Sequence, residues 1–421
     1  MRALWRQTRT FSAFTRLLMA NQFAINLAFY MLMPYLAAHI AGPLGLAAWA
    51  VGLVLGVRNF SQQGMFLIGG TIADRLGYKA PIMAGCLLRT AGFGLLGWVD
   101  SLAALIAASA ATGFAGALFN PAVRAYLAAE AGEWRVDAFA TFNVYYQAGM
   151  FLGPLVGFAL LAADFRTVCT AAAAIFALLT ALQWRALPDR RTARTDDVSE
   201  SAESVLAQWR SVLENRPFLL FSAAMIGSYV LTFQVYLALP LAAREFLGPN
   251  ATEVTSGLFV VSAAIAVVGQ LRLTAWAKKR WSSHQELAVG LSLMGLAFVP
   301  LAFTPDDAPV LALTALVAAV VLLAVGGVII YPFEMETVVV LCDNRLVATH
   351  YGFYNTVSGL GITLGNLAVG AVWDFAQSHR MEWLTWGALV ATGLACAASV
   401  IVLTRIGILT SRPLVRAAVG A

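Results

Sequence analysis

Residues 309 to 330 form a run of 22 positions with no charged side chain and one hydroxyl, Thr314, and this restricts the chain more than any other feature. A stretch of about 20 apolar residues spans the hydrocarbon of a bilayer as a helix, and only a helix or a closed barrel satisfies every backbone donor and acceptor there. Comparable runs predict helices over 14–41, 48–73, 80–98, 101–128, 137–163 and 165–187. A second series covers 217–243, 253–276, 284–303, 309–341, 349–375 and 383–405, giving about twelve spans, six in each half. A barrel would show short alternating segments instead. Of 421 residues, 60% are hydrophobic and 12% charged, a balance that no water-soluble domain needs to fill its core. The expected fold class is an all-α polytopic membrane protein.

Arg2, Arg6, Arg9 and Arg16 precede the first run as they would in a secretory signal. That run is too long for one and carries Asn21, Asn26 and Pro34, so it is expected to stay as the first span. With the N-terminus inside, the basic residues fall mostly in cytoplasmic segments, leaving Arg166, Arg244 and Arg380 outside. Both termini are then cytoplasmic, and the net charge of +5 reflects topology rather than a nucleic-acid partner. Cys86, Cys169, Cys342 and Cys396 show no CxxC pair and no ligand spacing with the histidines, so neither a disulfide framework nor a metal site is expected, and no cofactor.

The longest polar stretch, Asp189 to Arg216, opens with DRRTARTDDVSES and divides the chain. The expected organisation is a six-helix bundle over 1–187, a cytoplasmic linker over 188–216, and a second bundle with a short cytoplasmic tail over 217–421. Glu200 to Glu214 has the spacing of an amphipathic surface helix, with Val205, Leu206, Trp209 and Leu213 toward the membrane interface; a solvated linker is the alternative.

The halves resemble each other. Phe119-Asn120-Pro121 precedes Arg124 in the fourth helix, and Ile330-Tyr331-Pro332 precedes Glu334 and Glu336 in the tenth. Gly149 and Gly153 in the fifth helix match Gly361 and Gly365 in the eleventh, each pair at i, i+4 on one face, where small residues let helix backbones approach closely. Repeats of this kind build transporters around a central site.

The most specific motif, Gly70-Thr-Ile-Ala-Asp74-Arg75-Leu-Gly77-Tyr78-Lys79, falls between the second and third helices. Gly70 permits close packing, Asp74 can accept from backbone donors at a neighbouring helix N-terminus, Gly77 allows a tight turn, and Arg75 and Lys79 anchor the loop inside. The bland alternative is a solvated loop between spans. The segment resembles the signature between helices two and three of the major facilitator superfamily, with Tyr78 in place of a basic residue. Gly149, Gly153, Pro154 and Gly157 resemble the fifth-helix motif of that superfamily's drug:proton antiporter branch. The run from Gly56 to Lys79, with the LLRTAGFG context of Arg89, is similar to the MdtH-like multidrug-resistance exporters. The resemblance implies two pseudo-symmetric six-helix bundles and export of a small organic substrate in exchange for protons by a monomer in the bacterial inner membrane. One departure is Ser109, which stands four residues before Gly113 where many such antiporters carry an arginine.

Charged groups inside hydrocarbon are costly and tend to face a cavity or a partner. Glu334, Glu336 and Arg124 are therefore the candidates for proton coupling, Glu334 first. Arg58 and Gln62, at i, i+4, present a polar face for substrate, and Asn26, Tyr30, Asn143, Tyr146, Gln234, Tyr236, Tyr354 and Asn355 are further cavity candidates. Arg89 is a further candidate; for Arg89 and Arg124 the structural alternative is a long side chain reaching toward the cytoplasmic interface, and for Glu334 and Glu336 it is solvation at the helix end. Export of a self-made metabolite such as a siderophore is the nearest rival. A non-transporting sensor lacks a signalling domain here, and an enzyme would need a convergent catalytic set, whereas His39, His284, His350 and His379 are scattered.

Overall fold

The computed structural model describes residues 2–41, 43–44, 46, 48–188, 204–305 and 308–409. Most of the expected linker, 189–203, and the end of the expected tail lie outside them. The described residues of the N-terminal half form α1 (Arg2–Thr10), α2 (Ala13–Ala41), α3 (Ala48–Gln63), α4 (Phe66–Leu76), α5 (Lys79–Trp98), α6 (Leu102–Ala131), α7 (Arg135–Leu161) and α8 (Phe165–Ala186). After the linker helix α9 (Val205–Glu214) come α10 (Arg216–Phe233), α11 (Ala238–Leu247), α12 (Ala251–Arg280), α13 (Ser283–Leu296), α14 (Val299–Ala302), α15 (Pro309–Leu341), α16 (Val347–His379) and α17 (Trp383–Arg405).

Nine described runs are long and apolar enough to cross a membrane, and one of them, Leu102–Leu161, holds both α6 and α7. With α2 and the α3–α4 pair the described residues hold twelve span-length helical segments, the number the apolar runs predict. Three expected helices are interrupted. The second breaks at Gly64 and Met65, where a glycine weakens the helix interior. The seventh breaks over Gln234–Tyr236 because Pro240 has no N–H to offer the carbonyl of Tyr236. The ninth breaks before Val299 because Pro300 stands in the same relation to Leu296. Pro121, Pro154 and Pro332, by contrast, sit inside unbroken helices.

The N-terminal bundle packs α2 on α7, α5 on α6 and α8, and α3 on α6; the C-terminal bundle packs α10 on α16 and α17, α13 on α15 and α17, and α12 on α15. The glycine pairs of the repeat play matching parts. A Cβ at Gly149 or Gly153 would meet α2 at Phe23 and Tyr30, and one at Gly361 or Gly365 would meet α10 at Ile226 and Val230. Thus the fifth span closes on the first and the eleventh on the seventh.

The bundles meet through α4 with α16, α6 with α16, and α7 with α12 and α15. One group of hydrogen bonds between them lies at the end of the molecule that carries α9. Leu346, at the start of α16, has a left-handed backbone (φ 47°) and makes no side-chain cap, so the first N–H groups of α16 need another partner. Asp74 of the other bundle supplies it. Its Oδ1 accepts from Ala348 N at 3.2 Å, and its Oδ2 accepts from Thr349 N and Thr349 Oγ1, both at 2.7 Å. The carboxylate therefore caps a helix 275 residues away, complementing the positive end of its dipole. Nearby, Lys278 Nζ of α12 donates to Asp137 Oδ2 of α7 at 2.8 Å, and Arg135 donates to Asn344 at 2.6 Å.

The linker helix buttresses this end. Its buried face carries Gln208 and Val212, and Trp209 turns inward to donate to Thr71 Oγ1 at 2.8 Å, so of the four expected apolar contacts Leu206 and Leu213 are the clearly exposed ones. Arg75 donates to Gln208 at 3.0 Å and Lys79 to the Trp184 carbonyl at 3.0 Å. Tyr78 is buried against Tyr126 instead of occupying the solvent as a basic residue would.

Candidate functional site

A cavity of about 280 Å³ lies between the bundles. Its wall is built from Gln22 of α2, Asn120 and Arg124 of α6, Asn143, Tyr146 and Gln147 of α7, Ser228, Tyr229 and Thr232 of α10, and Tyr331 and Glu334 of α15, with apolar residues between them. Counting about 1.5 Å per residue, Asn143 stands about 12 Å from the start of α7 and Glu334 about 10 Å from the end of α15. The cavity floor therefore lies inside the helices but nearer the end that carries α9, and Thr232 and Val235 carry its wall toward the opposite end.

Glu334 is 4% exposed. Tyr354 donates to its Oε1, and Tyr229 bonds it from α10. Arg124 faces the same floor from the opposite bundle; its Nη1 donates to Asn355 Oδ1 at 2.7 Å, and it also engages Tyr331. A buried carboxylate from one bundle and a partly buried guanidinium from the other thus share the floor, linked through α16 by Tyr354 and Asn355. Beside them, Asn143 donates to Gln270 Oε1 at 2.6 Å, and Gln270 donates onward to Thr274 and the Val328 carbonyl. These contacts join the bundles at the very depth where ligand would sit.

The remaining candidates divide. Asn143 and Tyr146 stand on the cavity wall, while Tyr354 and Asn355 lie one layer behind it as partners of Glu334 and Arg124. Tyr30 reaches the wall through Tyr146, oxygen to oxygen at 3.5 Å. Asn26 is buried and turned back to the Gln22 carbonyl. Gln234 is buried within the C-terminal bundle on Asn366, and Tyr236 is 56% exposed against Phe259. Glu336, two residues beyond Glu334, points away from the cavity into the charges of Arg135, Lys278 and Asp137. Arg58 and Gln62 lie inside the N-terminal bundle, off the cavity wall. Arg89 is 5% exposed and packs on Phe29 and Phe176, deep in that bundle and not at the interface.

The Lys278–Asp137 pair carries a prediction. Its side chains are 38% and 18% exposed, which limits the contribution to about 0.5–1 kcal/mol with strong salt screening. Asp137→Asn is expected to raise maleimide labelling of the nearby buried Cys342 by about two- to fivefold at low salt. That difference should vanish in about 1 M salt, where screening falls within a few ångströms.

A two-bundle helical protein with a cavity between its spans, sealed at one end by polar contacts between its halves, has the construction of a membrane carrier. The chain belongs to the Major Facilitator Superfamily, whose family model matches residues 18–366. It is 53% identical over 393 residues to an uncharacterized MFS-type transporter of Mycobacterium tuberculosis, covering 93% of each chain. It is 31% identical over 380 residues to the multidrug resistance protein MdtH of Yersinia pestis, covering 90% of this chain and 91% of that one. The solved fucose:proton symporter FucP of E. coli superposes with a TM-score of 0.72 at 15% identity, over 92% of this chain and 98% of that one.

Proposed function

We propose that this transporter exports small organic molecules or drugs in exchange for protons by alternating access. The observation that carries the reading is Glu334, a buried carboxylate on the cavity floor, bonded by two tyrosines and faced by Arg124 of the other bundle. A carboxylate in hydrocarbon is tolerated when it serves a pathway, and one at the junction of two rocking halves can exchange its proton for cargo as access changes sides. The likeness to MdtH proteins supports the export direction.

In this reading 1–187 and 217–421 are the moving units, 188–216 is the linker between them, and both termini and the α9 end face the cytoplasm of a bacterial inner-membrane protein that works as a monomer. The contacts of Asp74 and Gly70 with α16 then hold the inner gate closed, with the cavity addressed from outside. Gly149, Gly153, Pro154 and Gly157 form the pliable seam between the fifth and first spans, and Asn143, Tyr146 and Glu334 contact cargo.

The test is uptake of a panel of labelled drugs into inverted vesicles with an inside-acid gradient, for the parent and Glu334→Gln. Gradient-driven accumulation is expected for the parent and a loss of about 10²-fold or more in the variant, as for removal of a proton-transfer group. Accumulation indifferent to the gradient would refute proton coupling, and accumulation retained in the variant would remove Glu334 from it.

A further inference from the structure

Arg58 of α3 and Arg89 of α5 both stand over the Phe29 ring of α2, their guanidinium carbons 4.8 and 5.0 Å from its centroid. Both Nε atoms are buried without a hydrogen-bond partner. The other contacts are weak or apolar: Arg58 Nη1 to Met33 Sδ at 3.2 Å, Arg58 Nη2 to Gln62 Oε1 at 3.5 Å, and Arg89 over Phe176 at 5.4 Å. Among the described residues no carboxylate pairs with either; the ionisable groups acting on them are Tyr30, Tyr146, Cys86 and each other. A guanidinium keeps its charge in proteins, so these two cations cannot neutralise themselves by losing a proton.

Attraction to an aromatic face lowers the energy of such a cation but leaves its charge uncompensated, and two like charges in one apolar bundle raise that energy. Gly116 lets α6 pass close against them. A Cβ on Gly116 would lie 3.0 Å from both Arg89 Nη2 and Gln62 Cδ. Arg58 is half-buried and acts electrostatically on Tyr30, whose hydroxyl lies 3.5 Å from that of Tyr146 on the cavity wall.

We propose that Arg58 and Arg89 form a binding site for the anionic group, carboxylate or phosphate, of an amphipathic cargo whose apolar part lies against Phe29 and the cavity. The proposal rests on the reading of this chain as a carrier of small organic molecules, and it names their class as organic acids. Charge-assisted hydrogen bonds to the free Nε groups would supply the missing counter-charge.

The test measures binding without transport, so a failed vesicle assay and a failed binding assay remain distinguishable. The purified full chain in phosphatidylcholine nanodiscs is titrated with decanoate, decyl phosphate and decanol while its thermal unfolding midpoint is followed. The acids are expected to stabilise the parent at concentrations about tenfold below decanol, a difference that Arg58→Gln or Arg89→Gln abolishes and Arg89→Lys largely keeps. Without added acid, Arg89→Gln is expected to be no less stable than the parent, because it removes an uncompensated buried charge.

Equal response to acid and alcohol would overturn the proposal, as would an acid response surviving both glutamine changes. A drop in the unliganded stability of Arg89→Gln with unchanged acid binding would mark a packing arginine and overturn it too. Nanodiscs containing phosphatidylglycerol separate the sources: arginine-dependent stabilisation by that lipid alone, with no further effect of decanoate, would make the anion a lipid headgroup and overturn the cargo assignment.

Discussion

Gly70→Ala is expected to part α4 from α16 and raise the rate at which a water-soluble maleimide labels Cys342 by about a hundredfold. A Cβ at Gly70 would lie 2.1 Å from the Ala348 carbonyl oxygen and 2.7 Å from its carbon. Those are backbone atoms at the start of a helix, so no rotamer change relieves the clash and the helices must separate. Overpacking of this kind costs about 1–3 kcal/mol, and the upper end converts to roughly a hundredfold change in the open fraction. Separation also withdraws Asp74 from Ala348 and Thr349 and uncaps α16. Cys342 is the natural reporter, being 5% exposed and within the electrostatic reach of Asp74. Asp74→Ala should act in the same direction through the cap alone, by about 2–3 kcal/mol. Peptide mass spectrometry of labelled protein in nanodiscs identifies the reacting cysteine. A labelling rate unchanged in both variants would mean that α4 and α16 are not what shields this end.

The second large effect concerns folding. A Cβ at Gly157 would sit 2.0 Å from the Met31 carbonyl oxygen and 2.8 Å from its carbon, again backbone, on the seam between α7 and α2. Gly157→Ala is expected to lower the thermal midpoint of the protein in nanodiscs by about 2–3 °C, from a loss of about 2–3 kcal/mol. Gly365→Ala in the matching seam meets only side-chain atoms of Val230, the nearest 2.5 Å away, so a small shift of that side chain relieves the contact without parting the backbones. Its expected cost is within about 1 kcal/mol. Counting four residues on from Gly365, the repeat partner of Gly157 is Val369, a partly buried side chain packed on the C-terminal core. The two seams are thus built on one plan but tolerate different volumes. Equal shifts for the two variants would contradict that asymmetry.

The spans were legible because the bilayer imposes one length on every apolar run, and that signal is strong even without pattern inside the run. The interruptions at Pro240 and Pro300 were less so. Proline breaks a helix only where neighbours do not hold it, and Pro121, Pro154 and Pro332 sit in helices that stay whole. In the cavity, Glu334 and Arg124 stood out because charge in hydrocarbon is rare. Tyr229, Thr232 and Gln147 carried no such signal, since a lone aromatic or polar residue in a membrane helix has many ordinary explanations. Tyr331 could have been found, as it lies three residues before Glu334 and so on the same helix face. Asp74 was readable as a helix-capping acceptor, but its acceptor helix, 275 positions away, was not, because sequence spacing carries no trace of a contact between bundles.

One detail of the cavity bears on energetics. Its wall, among the described residues, holds a single carboxylate, Glu334. On the proposed cycle, one proton would then move through that group per turnover, and its descent sets the work available. Moving one charge through 100 mV yields about 2.3 kcal/mol, and one pH unit adds about 1.4 kcal/mol. A neutral cargo could then be concentrated roughly 500-fold. A monovalent cation leaving as the proton enters cancels the electrical part and keeps roughly tenfold. A monovalent anion leaving the cell adds a second favourable charge movement, for a limit on the order of 10⁴-fold. With one carboxylate at its floor, the machine would be driven hardest by voltage when its cargo is negatively charged.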